Sequence, residues 1–340
     1  MSARLYSAKL RVCAALAANV AWACTPVDRG SDVQRDVPEA QHVLTAENTH
    51  ARFSSAIPSV LRVESGDVVE VHTKEATDGQ LTPESGIREL ATLDFDPIHP
   101  LTGPIHVEGA EPGDVLAVTL HHIEVVDWGW SAIVPGFGFL ADEFTEPYLK
   151  TFRIPPGATE VEFNDAIRIP LAPFPGVMGV APATDSMLTT IPPRANGGNM
   201  DNRYLTAGTT VYFPVFVSGA LFSIGDTHAL QGDGEVCGSA VEAPMRIVME
   251  LNLIKGGREV REPEYETADV YGVTAFATTL DEAARKATRY MVDYLVAEHG
   301  MDRNEAYMLC SLAGDLKIAE VVDVPHVLVS MHMPKQVLGM

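Results

Sequence analysis

The sequence predicts a β-rich α+β fold, in which sandwich- or barrel-like mixed sheets carry helices near the C-terminus. From about His42 to Ile254, short apolar runs alternate with turn signals, as in Val68–His72 behind Ser65-Gly66-Asp67. Runs of this length between turn residues are typical of strands. After Thr279, apolar side chains recur every three or four residues, which is typical of helices. This order of elements predicts late helices packed on sheets.

The individual elements follow from the same two patterns. The apolar runs predict strands at residues 60–63, 68–72, 115–120 and 209–216, and a buried apolar strand leading into Gly225. Thr279 is a suitable N-cap for a helix that ends near Gly300. A second helix is predicted over residues 302–312, and a closing strand over residues 318–329 that is interrupted at Pro325.

The composition indicates one compact globular domain, which we place over residues 42–340. The chain has 340 residues, of which 46% are hydrophobic and 21% are charged, and this balance is typical of an ordinary globular protein. Its formal net charge is -22 and it contains no block of Lys or Arg, so a phosphate backbone would be repelled and nucleic-acid binding is excluded. We expect a neutral small molecule or a cation as the ligand, although a solvated acidic surface explains the same balance.

The N-terminal segment predicts export from the cytoplasm. Three basic residues precede the apolar run Val12–Val20, and Ala21 and Ala23 form an A-x-A cleavage site, as in a signal peptide over residues 1–23. A short buried helix is the alternative. Cleavage would leave Cys24 at the N-terminus as a candidate lipid anchor, with residues 24–41 as a flexible leader. No later stretch approaches the ~20 apolar residues of a transmembrane helix, so we expect a periplasmic, secreted or lipid-anchored protein.

The densest group of candidate site residues lies in the segment Ser218–Gly238. In an extended chain, Asp226 and His228 are two residues apart and project from the same face, and so do Asp233 and Glu235. A tight reversal at the neighbouring glycines would bring both pairs to one point. Imidazole nitrogen and carboxylate oxygen suit Zn²⁺, which lowers the pKa of a bound water to about 7, so that the water can attack an amide. The alternative is a glycine-rich hairpin whose carboxylates are solvated.

Two other segments supply candidate ligands and hydrogen-bonding groups. The loop at residues 196–202 contains Asn199, Asp201 and Asn202, which offer donors and acceptors for an amide or its oxyanion. Such a loop is also typical of an Asx-rich turn. His99 is a further candidate metal ligand, with a hydrogen-bonded structural histidine as the alternative.

Cys237 indicates a different chemistry. Its thiolate could act as a nucleophile, with Glu235 or Glu242 as the neighbouring base, as in cysteine amidases. An inert core thiol is the alternative for the same residue.

Taken together, these segments resemble the acetamidase/formamidase family, over a range from about His42 to Lys335. The matching pieces are, in chain order, Ile57-Pro-Ser-Val-Leu, Val63-Glu-Ser-Gly-Asp, His99-Pro-Leu-Thr-Gly-Pro, Val107-Glu-Gly-Ala-Glu-Pro-Gly-Asp-Val-Leu, Pro135-Gly-Phe-Gly, Gly197-Gly-Asn-Met-Asp-Asn, Thr209-Thr-Val-Tyr-Phe-Pro-Val and Gly225-Asp-Thr-His-Ala-Leu-Gln-Gly-Asp-Gly-Glu. The length and the order of these matches make the resemblance specific.

The resemblance implies hydrolysis of a short linear amide, such as formamide or acetamide, to a carboxylate and ammonia. It also implies a homo-oligomer and a divalent metal, with Zn²⁺ as the expected ion and Ca²⁺ as a candidate additional structural ion. Carried onto this chain, it implies a metal set of His99, Asp201, Asp226 and His228, and a catalytic set of Glu235, Asp233, Asn199 and Asn202. Glu235 would be the general base, and either asparagine would polarise the carbonyl. An exported binding protein that kept this scaffold without catalysis is the alternative.

Overall fold

The computed structural model describes residues 37–340. The strands are, in chain order, β1 His42–Leu44, β2 Thr49–His50, β3 Arg52–Phe53, β4 Leu61–Val63, β5 Asp67–His72, β6 Leu101–Val107, β7 Val115–Val125, β8 Trp128–Ile133, β9 Tyr148–Arg153, β10 Glu160–Asn164, β11 Ile167–Pro170, β12 Phe174–Gly179, β13 Leu188–Thr189, β14 Gly197–Asn199, β15 Thr210–Pro214, β16 Phe222–His228, β17 Met245–Ile254, β18 Glu264–Glu266, β19 Val270–Ala277, β20 Asp315–Glu320 and β21 Val327–Pro334. The helices are α1 Ile87–Leu90, α2 Leu280–His299, α3 Arg303–Ala313 and α4 Lys335–Leu338.

The N-terminal predictions lie outside the described residues. They concern the signal peptide at residues 1–23, the candidate lipid anchor Cys24 and most of the leader, up to residue 36. None of the helices within residues 37–340 is long and apolar enough to cross a membrane.

Two large sheets form the body of the domain. One has nine strands in the order β1-β5-β17-β7-β15-β18-β19-β21-β20. The other has strands in the order β14-β12-β16-β6-β2, with β4 also paired to β6. The pairs β1 with β5 and β4 with β6 are parallel, whereas the neighbours of β16 and of β17 are antiparallel to them. Both sheets are therefore mixed, as predicted.

The two large sheets enclose one continuous hydrophobic core. Val118 of β7 and Ile247 of β17 contribute from the nine-stranded sheet, while Ile105 of β6 and Phe222 of β16 contribute from the other sheet. Strand β16 is buried along its whole length, which is consistent with its position between β12 and β6. This sandwich of mixed sheets confirms the predicted fold class.

The C-terminal helices pack on strands β19 and β21 through a second apolar cluster, which includes Val273 of β19 and Met291 of α2. Thr279 caps the start of α2 through its side chain, and Gly300 ends the helix in the left-handed conformation at φ 64°. Asp302 caps the start of α3. Both predicted helices are present, because capping residues and an apolar stripe define a helix locally.

The predicted closing strand, interrupted at Pro325, consists of two antiparallel strands. β20 and β21 pair with each other and are joined by the segment that contains Pro325. Proline has no N–H for a sheet and restricts the residue before it, so the chain reverses there. The reversal places Asp323 in a buried turn, beside Glu320 at the end of β20.

Candidate active site

Strand β16 carries the first two site residues, Asp226 and His228, at its C-terminal end. Asp226 Oδ2 lies 3.6 Å from His228 Nε2, and both side chains are at most 4% exposed. Asp226 has a left-handed backbone, with φ 48°. The two side chains therefore converge, although the backbone between them departs from a regular extended strand.

Glu242 completes a group of three on the Nε2 side of the His228 ring. A backbone bridge pairs Glu242 with His228, and Glu242 Oε2 lies 3.1 Å from His228 Nε2. One ligand atom from each of Asp226, His228 and Glu242 fits within 4.8 Å of the others, so the three can bind one cation. The sequence pattern did not identify Glu242 as a ligand, because a loop and an isolated bridge bring it in rather than a strand periodicity.

Asp201 and Glu235 lie on the other side of the His228 ring. Asp201 Oδ1 is 3.7 Å from His228 Nδ1, and ligand atoms of Asp201, His228 and Glu235 also fit within 4.8 Å of one another. The close approach of Asp201 to His228 depends on Gly176 of β12. A Cβ atom there would lie 2.7 Å from His228 Cε1 and 2.8 Å from the Asp226 carbonyl oxygen, and nearer still to the Asp201 carboxylate. A side chain at residue 176 is therefore incompatible with this arrangement.

The turn between β20 and β21 supplies two more buried carboxyl groups, Asp323 and Glu320. Asn199 Nδ2 donates to Asp323 Oδ2 at 2.7 Å, which connects this turn to the predicted Asn199 loop. Glu320 Oε2 accepts hydrogen bonds from the backbone N–H groups of residues 322 and 323. Neither acid was predicted from the sequence, because a hairpin near the C-terminal end of the chain brings them to the site.

His99 reaches the Asp226 side of the site. Its Nδ1 lies 3.7 Å from Asp226 Oδ2 and has no hydrogen-bond partner within residues 37–340. Its backbone N–H donates to the Thr190 hydroxyl at 2.9 Å, and this hydroxyl donates to the Ile98 carbonyl at 3.0 Å. These two hydrogen bonds fix the backbone at His99, and the ring Nδ1 is left available to a cation.

Several buried polar atoms of the site have no hydrogen-bond partner in the described part of the chain. They are His99 Nδ1, Asn199 Oδ1, both carboxylate oxygens of Asp201, Glu242 Oε2 and Glu320 Oε1. Glu242 Oε2 is close to His228 Nε2 but is not aligned for a hydrogen bond. A buried polar atom without a partner costs about 1–3 kcal/mol, and native structures contain few of them. A divalent cation fits this set, because carboxylate oxygen and imidazole nitrogen are its usual ligands.

Burial and mutual repulsion perturb ionisation in the cluster. Burial, together with the Asp201 carboxylate, raises the pKa of Glu235 well above its ordinary value. Burial also disfavours the charged ring of His228, but the carboxylates of Glu242 and Asp226 outweigh it and hold the pKa of His228 well above its usual range. Groups perturbed by burial and by specific charged neighbours in a cleft are typical of functional sites.

Two of the predicted catalytic residues lie elsewhere. Asp233 is exposed, and the Tyr204 hydroxyl donates to its carboxylate at 3.0 Å. The prediction that Asp233 and Glu235 share one face is wrong, because the segment is not an extended hairpin. Gly234 and Glu235 are both left-handed, at φ 95° and 44°, so that Glu235 alone turns inward. Asn202 is fully buried, accepts a hydrogen bond from the Tyr204 backbone at 3.2 Å, and does not line the cavity.

Cys237 does not join the acidic cluster. Its Sγ faces the Ser239 carbonyl oxygen at 3.3 Å, and the residue lines a neighbouring apolar cavity. Within residues 37–340 its hydrogen-bond partners belong to Ser239, and neither Glu235 nor Glu242 is among them. The geometry therefore does not support the cysteine nucleophile.

Part of the cluster forms the floor of a cavity of about 80 Å³ with an apolar mouth, and the lining residues from the cluster are His99, Asp201, Asp226, Glu235, Glu242 and Asp323. Phe95 and Phe137 stack at this mouth, with ring centroids 5.5 Å apart and an interplanar angle of 2°. Trp130 forms one wall and donates from Nε1 to Glu75 Oε2 at 2.8 Å. Further apolar lining comes from Ala76, Leu93, Ile98, Val134 and Ile191. A small molecule with one polar and one apolar end suits these surroundings.

Known proteins resemble the chain over most of its length. Residues 35–189 and 183–340 match the model of the Acetamidase/Formamidase family. An acetamidase from Mycolicibacterium smegmatis is 32% identical over 66% of this chain and 68% of its own. A formamidase from Methylophilus methylotrophus is 26% identical over 85% of this chain and 89% of its own. The crystal structure of an acetamidase from Bacillus halodurans matches with a TM-score of 0.82 at 34% identity, over 87% of this chain and 98% of that one.

Proposed function

This chain belongs to the acetamidase/formamidase family, and we propose that it hydrolyses a small linear amide to a carboxylate and ammonia. In this reaction the C–N bond breaks, a C–O bond forms from water, and a proton passes to the nitrogen. The observation that carries the proposal is the buried acid–imidazole cluster at the floor of a cavity with an apolar mouth. The relatives named acetamidase and formamidase support the same class of reaction.

We propose Zn²⁺ as the ion of this site. Asp226, His228 and Glu242 would hold it, with His99 beside them. This group offers imidazole nitrogen as well as carboxylate oxygen, which suits Zn²⁺ better than Ca²⁺ or Mg²⁺, because those ions prefer oxygen alone. When bound, such an ion polarises a carbonyl group and acidifies water. This proposed ligand set differs from the metal set expected from the sequence in two ways. It includes Glu242, and it excludes Asp201, which lies on the opposite side of the His228 imidazole.

Glu235 is our candidate for the general acid and base. Burial raises its pKa, and repulsion from Asp201 raises it further. A carboxylate with a raised pKa is a stronger base, so it can accept a proton from the attacking water and then donate it to the leaving nitrogen. Asp233 has no part in this step, because it is exposed on the same loop.

Asn199 is our candidate for binding the amide group of the substrate. It lines the cavity, and its Nδ2 is already engaged by Asp323. Its Oδ1 is buried without a partner and therefore suits the N–H of the substrate amide. This assignment replaces the expected polarisation of the carbonyl by Asn199.

The charge of the cluster is consistent with a neutral substrate. An amide enters the acidic site without the charge repulsion that an anion would meet from ionised carboxyl groups in surroundings of low dielectric constant.

The test is ammonia release from formamide, acetamide and larger amides by the purified protein. We expect turnover of at least one short amide, loss of turnover after chelation, and recovery with Zn²⁺. Calorimetric binding of acetamide without any ammonia would instead indicate a binding protein. Full activity after chelation, together with inactivation by a thiol alkylating agent, would indicate that the thiol of Cys237, and not a metal ion, carries the reaction.

We further propose export and homo-oligomer formation. The basic and apolar N-terminal segment supports export, and sequencing of the mature N-terminus tests it; a chain that still starts at Met1 would contradict the proposal. A mass increase on a peptide that begins at Cys24 would identify a lipid anchor. Exposed apolar side chains after β8 support contact with a second copy, namely Phe139, Leu140, Phe144 and Tyr148. A monomeric mass measured by light scattering would contradict the proposed homo-oligomer.

A further inference from the structure

Gln231 is a buried residue that contacts His228 from the side opposite to Glu242. Its Oε1 lies 2.9 Å from His228 Nδ1. Its Nε2 donates to the backbone carbonyl of Asp201 at 2.7 Å and to that of Ala319 at 3.3 Å. Because both partners of Nε2 are acceptors, reversal of the amide would place its oxygen against two carbonyl oxygens. The backbone therefore fixes Oε1 towards His228.

This orientation determines which nitrogen of His228 keeps its hydrogen when a cation binds the ring. An amide oxygen can only accept, so His228 Nδ1 must donate to Gln231. Nε2 is then the ring atom whose lone pair a cation can use. Nε2 is also the atom that faces Glu242 at 3.1 Å and Asp226 at 3.6 Å.

We infer that Gln231 is a positioning residue, which sets the tautomer of His228 and so assigns the cation to the Asp226–Glu242 side of the ring. The inference rests on the metal-binding part of the proposed function. It divides the cluster into two parts with different tasks. One part offers nitrogen and oxygen ligands, and the other, with Asp201 and Glu235, offers carboxyl groups only and is left for proton transfer.

The first test replaces Gln231 with Met, which is of similar length but has only a weakly accepting thioether in place of the amide oxygen that accepts from Nδ1. Removing the outer partner of a metal-ligating histidine typically lowers metal affinity about 10–100-fold. We expect a loss of this size for Zn²⁺, measured by competition with a chromophoric chelator. Thr274→Val is the control, because it removes a buried hydrogen bond to the Pro263 carbonyl away from the site. Zn²⁺ affinity equal to that of the wild type in folded Gln231→Met would overturn the inference.

The second test needs no variant of Gln231. The wild-type protein, with ¹⁵N-labelled histidine, is loaded with ¹¹³Cd²⁺, and its His228 signals are assigned by their absence in His228→Asn. We expect scalar coupling between the metal and Nε2, with hydrogen on Nδ1. Coupling between the metal and Nδ1 would overturn the inference about Gln231 but would leave the proposed metal site standing. A wild-type protein that binds neither Zn²⁺ nor Cd²⁺ would overturn the proposed metal and this inference with it.

Discussion

Gly176→Ala tests how closely the site is packed around His228. A Cβ atom at residue 176 would lie 2.7 Å from His228 Cε1 and 2.8 Å from the Asp226 carbonyl oxygen. Ordinary van der Waals contact begins at 3.4 Å, so the imidazole must retreat by about 0.7 Å, the difference between 3.4 and 2.7 Å. The Asp226 oxygen belongs to the backbone of β16 and cannot rotate away. We expect overpacking to cost about 1–3 kcal/mol of the free energy of unfolding and misplacement of the site to lower kcat/KM on the order of 100-fold.

Gly232→Ala is the matched control, because a Cβ atom there meets no atom within 4 Å. Both variants are compared with the wild type by urea unfolding, by Zn²⁺ competition and by ammonia release from an amide that the wild type hydrolyses. We expect Gly232→Ala to resemble the wild type in all three measurements and Gly176→Ala to fall in all three. Zn²⁺ affinity and turnover like those of the wild type in Gly176→Ala would refute the packing argument.

Three further predictions separate catalysis from stability. Glu235→Gln is expected to lower kcat by about 100-fold or more while Zn²⁺ binding is retained. Asp233→Asn, on the same loop, is expected to keep the turnover of the wild type. Equal losses of kcat in the two variants would contradict the assignment of proton transfer to Glu235 alone. Burial lowers the pKa of His332 from 6.5 to about 4. The folded-state pKa of His332 is below the unfolded one, so protonation favours the unfolded chain. The free energy of unfolding therefore has its full value above about pH 6.5 and falls by roughly 3 kcal/mol as the pH falls towards 4. In urea unfolding, His332→Gln should therefore lose less stability than the wild type between pH 6.5 and 4. An identical pH dependence in the two proteins would exclude His332 as the cause of the pH-dependent loss of stability. Thr279→Ala removes the side-chain cap of α2 and should cost about 1 kcal/mol in urea unfolding without changing ammonia release per folded molecule; a loss of turnover would show that α2 is coupled to the site.

The parts of the fold that were predictable from the sequence depend on neighbours along the chain. Thr279 and Gly300 bound α2 because capping involves only a few adjacent residues. The apolar runs indicated the strands for the same reason. The segment that contains Asp226 and His228 was identified from its residue types and from the family resemblance.

The rest of the site depends on contacts that local patterns do not contain. A period of two predicts that Asp233 shares the face of Glu235, but Asp233 points to solvent, because Gly234 and Glu235 have left-handed backbones at φ 95° and 44°. Glu242 enters through an isolated bridge to His228, and Asp323 enters through a turn near the C-terminus. A sequence periodicity describes one element at a time, whereas this site is assembled between elements.

The site is linked to the stability of the fold through its backbone conformation and its buried charge. Within residues 37–340, six residues other than glycine have a positive φ, and three of them are Asp201, Asp226 and Glu235. A left-handed backbone at such residues costs on the order of 1 kcal/mol or more and persists only where the surrounding structure imposes it. Burial of their carboxyl groups adds to this cost unless positive charge or protons compensate it. A cation that binds only the folded cluster adds RT ln(1 + [L]/Kd), about 2.7 kcal/mol at a hundredfold excess over Kd. On the proposed function, the ion that supports catalysis therefore also stabilises the strained and acidic arrangement that binds it.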